Sequence, residues 1–190
     1  AIVKSLLSSE IFDPSEMACC SAQDGTSEKL SEETDILRFD KIEGMLESKP
    51  DILVLGCKPQ QLAQLPESIG QSSQMALVLS IMAGITLERL LCVFPNARNV
   101  VRSMPNTPGQ VGAGATGFIF AKPAQKTDLE LIHQILSSLG FVQEVKEEGD
   151  IDRVTAISGS GPAYVFEFAC ALEEAGKDIG LEPSLARELA

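Results

Sequence analysis

The chain has 190 residues, 44% hydrophobic and 22% charged, with 15 Gly and 10 Pro. That composition belongs to a folded globular protein, not to a collagen-like, disordered or disulfide-stapled one, and the length holds about one domain or one domain and part of a second. No run approaches the ~18 apolar residues of a membrane span, and a net charge of -12 argues against nucleic acid as a partner of the whole surface.

In chain order, Ala1 to Ser9 reads as an amphipathic helix, Met17 to Ser21 as a short strand and Ser27 to Ser31 as the start of a polar helix. Ile36 to Phe39 fits a strand, and Lys41 to Glu47 a turn or two of helix. Asp51 to Gly56 is a continuous apolar run between prolines, the pattern of a strand buried on both faces. Gln60 to Ile69 reads as helix, Ala76 to Ile81 as a second buried strand and Thr86 to Leu91 as the opening of a helix. Asn99 to Met104 and Gly117 to Ala121 are further strands. Thr127 to Leu139 is a helix capped by Gly140, and Phe141 to Lys146 is a strand. Regular alternation predicts an α/β fold, a doubly wound parallel sheet with helices on both faces. Beyond Asp150 the pattern is all helical, Pro162 to Gly180 and then a second helix. This divides the chain into residues 1–152, an α/β unit, and 153–190, the start of a helical unit. Both ends fall inside elements, so the chain is expected to be an internal segment whose targeting signals are not visible.

Five cysteines, an odd and scattered set, and one histidine, His133, predict free thiols in a reducing compartment and no metal site. His133 reads as structural, and Cys57 as a packing thiol without a base partner. The acidic charge is uneven. Between Ile52 and Thr127 six basic residues face only Glu67 and Glu88, giving that segment +4 and the remainder -16. Such a stretch makes room for an anion, although buried strands that exclude charge would look the same.

The glycine pattern G-x-G-x-x-G occurs at Gly112 to Gly117, but it follows a proline-rich loop and enters a strand. A phosphate-binding turn must leave a strand and open a helix, so the pattern reads as a closely packed or flexible loop. Four other turns carry the candidate chemistry. Gly56-Cys57-Lys58-Pro59 and Met82-Ala83-Gly84 leave the carboxyl ends of buried strands, where open parallel sheets bind ligands. Met104-Pro105-Asn106-Thr107-Pro108 holds a carboxamide and a hydroxyl between prolines, suited to a ligand amide or carboxylate or to a rigid turn alone. Ser158-Gly159-Ser160-Gly161-Pro162 opens the long helix, with Ser160 or Gly161 near its cap, suited to an anion or to simple capping.

Three segments in order, Asp51 to Gln60, Arg102 to Pro108 with Gly112 to Gly117, and Val154 to Tyr164, resemble pyrroline-5-carboxylate reductase. The resemblance implies a Rossmann-type domain followed by a helical dimerisation domain, and a homodimer or higher homo-oligomer. It also implies hydride transfer from NADPH or NADH to the C=N carbon of 1-pyrroline-5-carboxylate, the last step of proline biosynthesis, in the cytoplasm or mitochondrion. By that similarity Gly56, Cys57, Lys58, Pro59, Met82, Ala83 and Gly84 line the cofactor. Asn106 serves cofactor and substrate, and Thr107, Pro108, Ser160, Gly161 and Pro162 lie by the substrate. No residue is an evident proton donor, so none is assigned a catalytic role. Cys57 stands where the family usually has Val. The family's glycine-rich loop would precede Ala1, and its carboxylate-binding Gly-Gly-Thr turn would follow Ala190, so the segment alone is expected not to turn over. Around Ser21 to Ser27 no arginine appears and Asp24 does, which points toward tolerance of NADH. The competing readings are another Rossmann-type reductase of the 6-phosphogluconate or deazaflavin-linked kind, against which the Pro-Asn-Thr-Pro loop speaks, and an inactive binding protein on the same scaffold.

Overall fold

A computed structural model describes residues 2–22 and 24–190. Its strands are β1 (Ala18–Cys19), β2 (Leu37–Arg38), β3 (Ile52–Leu55), β4 (Leu77–Ser80), β5 (Asn99–Met104), β6 (Gly114–Phe120) and β7 (Gly140–Glu144). The helices are α1 (Ile2–Ser8), α2 (Thr26–Thr34), α3 (Ile42–Glu47), α4 (Ile69–Ser72), α5 (Leu87–Val93), α6 (Lys126–Ser137), α7 (Gly149–Val154), α8 (Gly161–Asp178) and α9 (Pro183–Leu189).

The strands form a parallel pair, β1-β2, and a five-stranded sheet ordered β3-β4-β5-β6-β7. Strands β3, β4 and β5 are parallel, as are β6 and β7, but β5 and β6 are antiparallel. The expectation of a wholly parallel sheet is therefore corrected at one junction. Only residues 105–113 connect β5 to β6, and a parallel crossover needs a dozen or more. Apolar side chains fill both faces of the sheet. On one, Leu53, Leu55, Val78 and Val100 pack against Leu87, Leu90 and Phe94 around α5. On the other, Leu77, Leu79, Val101, Phe118 and Phe120 meet Ile132, Ile135 and Leu136 of α6 and Leu6 of α1. His133 lies edge-on to the Phe118 ring, with centroids 5.3 Å apart, the structural place expected of it.

Other differences have local causes. Strand β3 is not buried on both faces, because it is the edge of its sheet and Val54 is 37% exposed. The helix expected over Gln60 to Ile69 is a 3-10 turn, Pro59–Gln64, followed by α4. Pro66 disfavours a helical Leu65, which sits extended at φ -63 and ψ 143. Gly140 does not cap α6; it begins β7 at φ +129, opposite Gly114. A Cβ on Gly140 would stand 2.4 Å from the Gly114 carbonyl oxygen, so the backbones approach this closely only because both are glycine. Gly114 and Gly117 lie within β6, which is why the glycine pattern there cannot open a helix.

The expected cap of the long helix is also different. Helix α7 runs through a π segment, Thr155–Gly159, directly into α8. Ser160 has helical dihedrals and its N–H donates to Thr155 O at 2.8 Å, so Ser160 to Pro162 sit inside a continuous helix and present no free helix terminus. Among the described residues, no helix is long and apolar enough to cross a membrane.

Candidate functional site

Because β3, β4 and β5 are adjacent and parallel, the turns that follow them emerge along one edge of the sheet. The first turn is Gly56 to Pro59. Its backbone N–H at Lys58 donates to Gln61 Oε1 at 2.8 Å, which holds the exit into the 3-10 turn. The Lys58 side chain is exposed and makes no ion pair among the described residues. Burial pushes the Cys57 thiol up from its ordinary value, and its sulfur lies 3.6 Å from Met82 Sδ. That contact joins the first turn to the second.

In the second turn, Met82 is buried in the core while Ala83 and Gly84 are exposed. The Met82 side chain thus anchors the turn from below, and only its backbone can reach a ligand. Gly84 has φ +73, and a Cβ there would meet nothing within 4 Å, so open space lies above it. Two buried serines tie this turn to β5: Ser80 Oγ accepts from Met82 N–H at 3.3 Å, and Ser103 Oγ donates to Ser80 O at 2.9 Å.

The third turn carries Asn106, Thr107 and Pro108. Thr107 is exposed, Pro108 half-buried. Asn106 spends its carboxamide in two directions: Oδ1 accepts the Ala115 N–H at 2.9 Å, and Nδ2 donates to Ser158 O at 3.0 Å. The second bond has a reason in the sequence. Pro162 has no N–H to offer the carbonyl four residues before it, so Ser158 O is left without that helical partner and Asn106 supplies one. Gly159 allows the same approach, since a Cβ there would stand 3.0 Å from Met104 Cε. The π segment and Ser160 to Pro162 are therefore drawn to the third turn, and all four predicted turns form one chain of contacts.

Sequence reasoning missed Arg102 as a structural charge. It is 3% exposed and pairs with Glu148 at 2.8 Å and Asp152 at 2.6 Å, fastening β5 to α7. Glu148 Oε1 also accepts the Leu87 N–H at 2.7 Å, so the same carboxylate holds the start of α5. Arg98 is similarly taken by Asp128 at 3.0 Å. The basic excess of Ile52 to Thr127 is partly internal pairing with carboxylates beyond it, and Lys58 is the cation it leaves free at the candidate site. Arg38 was missed too. It is sequence-distant from Ser21 to Ser27, but parallel pairing sets it opposite Cys19, at the end of β1. Gln23, within the stretch read for cofactor preference, lies outside the described residues.

A sheet of mainly parallel strands with helices on both faces, turns along its carboxyl edge and a helical extension defines a Rossmann-type doubly wound fold. The family profile for pyrroline-5-carboxylate reductase dimerisation matches residues 148–190. Among curated relatives, pyrroline-5-carboxylate reductase 2 of Bacillus subtilis is 38% identical over 139 residues, 73% of this chain and 50% of the relative. The human pyrroline-5-carboxylate reductase 2 is 41% identical over 143 residues, 73% of this chain and 44% of the relative. The structure of a pyrroline-5-carboxylate reductase from Coxiella burnetii superimposes with a TM-score of 0.87 at 31% identity, over 99% of this chain and 70% of that one. That from Plasmodium falciparum, with NADP bound, gives 0.82 at 27% identity, over 99% and 68%. The chain belongs to the pyrroline-5-carboxylate reductase family. It spans about half the length of the curated relatives it matches.

Proposed function

We propose that this chain is the cofactor-binding part, and the beginning of the dimer-forming part, of a reductase that converts 1-pyrroline-5-carboxylate to L-proline with NADPH or NADH. The observation that carries the reading is the linkage of the turns Gly56–Pro59, Met82–Gly84 and Asn106–Pro108 and the helical segment around Ser160–Pro162 through Cys57–Met82, Met82–Ser80–Ser103 and Asn106–Ser158. The division into residues 1–152 and 153–190, assembly as a homodimer or higher oligomer, and residence in the cytoplasm or mitochondrion belong to the same proposal. A small-molecule substrate is the partner it calls for, with no nucleic acid or membrane.

The residues present fit a dinucleotide. Gly56, Ala83 and Gly84 leave the backbone of the first two turns exposed with room above it, and Lys58 brings an unpaired cation to their edge. A bound nicotinamide would supply the hydride, and the protein orients the reacting carbon. Ala83 and Gly84 offer a surface without side-chain bulk for a flat ring. Thr107 contributes an exposed hydroxyl for a ligand acceptor, while Asn106 fixes the loop that carries it. No side chain of this cluster is assigned as the proton donor to the imine nitrogen, a role that solvent can fill. The complete gene product containing this chain is expected to oxidise NAD(P)H only when pyrroline-5-carboxylate is present, and residues 1–190 alone are expected not to. Absence of substrate-dependent oxidation by the complete protein would overturn the reading.

A further inference from the structure

The carboxyl end of β1 carries a polar cluster that the proposed function leaves unused. Ser21 Oγ lies 3.1 Å from Asp24 Oδ1 and 3.0 Å from Ser27 Oγ, and the same Asp24 oxygen accepts the Thr26 N–H at 3.0 Å. Arg38, on the neighbouring strand, donates from Nε to Ser27 Oγ at 3.3 Å. Its other two nitrogens are taken: one pairs with Glu28, the other with Asp40 Oδ1 at 2.8 Å. In a doubly wound nucleotide fold, the end of the strand after the first helix meets the adenosine ribose. A carboxylate there accepts from the 2′-hydroxyl of NAD, and a free arginine accommodates the 2′-phosphate of NADP.

We infer that Glu28 and Asp40, paired with Arg38, and Asp24, joined to Arg38 through Ser21 and Ser27, set the ribose end of the site against a 2′-phosphate, so that the protein takes NADH in preference to NADPH. This rests on the reductase reading. An arginine alone would argue the opposite, but this one is already engaged by two carboxylates and a hydroxyl. Three carboxylates stand against one guanidinium. Counting Lys41, which follows Asp40 and makes no ion pair among the described residues, the balance is still acidic. A phosphate dianion entering here would have to displace a carboxylate from Arg38 and then remain beside it. A ribose diol only donates to oxygens that are present. Asp40 is 80% exposed, so its oxygens are accessible to such a donor.

The test is titration of the complete gene product with NADH and, separately, NADPH, following nicotinamide fluorescence. NADH is expected to bind at least about tenfold more tightly, the scale of a like-charge contact. The variant carrying Asp24→Asn and Asp40→Asn is expected to move the ratio of the two dissociation constants toward NADPH by about tenfold. Equal or tighter binding of NADPH by the unmodified protein overturns the inference, as does an unchanged ratio in the double variant. Binding of neither nucleotide overturns the reductase reading itself.

Discussion

Arg102 shows how a single residue can be visible in the sequence and misread there. Within Ile52 to Thr127 it counts as one of six free cations, yet its partners lie 46 and 50 residues further on. Only folding reveals that its charge is spent on Glu148 and Asp152. A guanidinium 3% exposed and paired twice is a fastening, although its partners, Glu148 half-buried and Asp152 exposed, remain open to water. Arg102→Ala is expected to lower stability by about 1.5 kcal/mol, read from the urea midpoint; a loss under about 0.5 kcal/mol would show the pair to be incidental. Cys57 gives a second prediction. Burial raises its pKa, so at any given pH a smaller fraction is thiolate, and the thiol gains reactivity only as pH climbs past the ordinary cysteine range. Cys92 is exposed on α5. With a thiol-specific chromogenic disulfide at pH 8, the exposed Cys92 and Cys170 should react first and Cys57 slowly, with the Cys57 rate still rising as the pH passes the ordinary cysteine range. Equal rates at pH 8 would contradict the packing role.

At the scale of elements, alternation was readable because apolar runs, caps and prolines announce themselves locally. The long strands β4 and β5 and the helices α6 and α8 stand close to their expected positions. What local pattern could not reveal was pairing. The antiparallel β5–β6 junction depends on a loop too short to cross over, and the approach of Gly140 to Gly114 depends on two glycines distant in sequence meeting across the sheet. The π segment is the instructive case. Ser160-Gly161-Pro162 looks like a helix start, yet the chain is already helical before it, and Pro162 acts by freeing the Ser158 carbonyl for Asn106. Asn106→Ala removes both bonds and is expected to cost about 2 kcal/mol. It should also speed amide exchange at Ala115 and through residues 155–163, without affecting α6. Exchange that stays slow in that stretch would mean the π segment holds itself.

For the whole molecule, α8 sets the question of assembly. None of its 18 residues is buried, and Tyr164, Val165, Phe166 and Phe168 are each about two-thirds exposed. An apolar face of that kind on the segment matching a dimerisation profile calls for a second copy. Phe166→Glu with Phe168→Glu is expected to convert a dimer of the complete protein to monomer in light scattering after size exclusion, while far-ultraviolet circular dichroism is retained; a persisting dimer would place the interface elsewhere. The -12 charge, which at first described the chain as uniformly acidic, divides into long-range pairs, an acidic surround for Arg38 and an unpaired Lys58 at the sheet edge. The central claim is hydride delivery from a dinucleotide held along that edge to a ring C=N carbon. It is tested most directly by incubating the complete protein with pyrroline-5-carboxylate and NADH carrying deuterium at both C4 positions. Mass and proton spectra of the product should show proline with a single deuterium on the δ carbon, and proline free of deuterium, or no proline, would contradict the account.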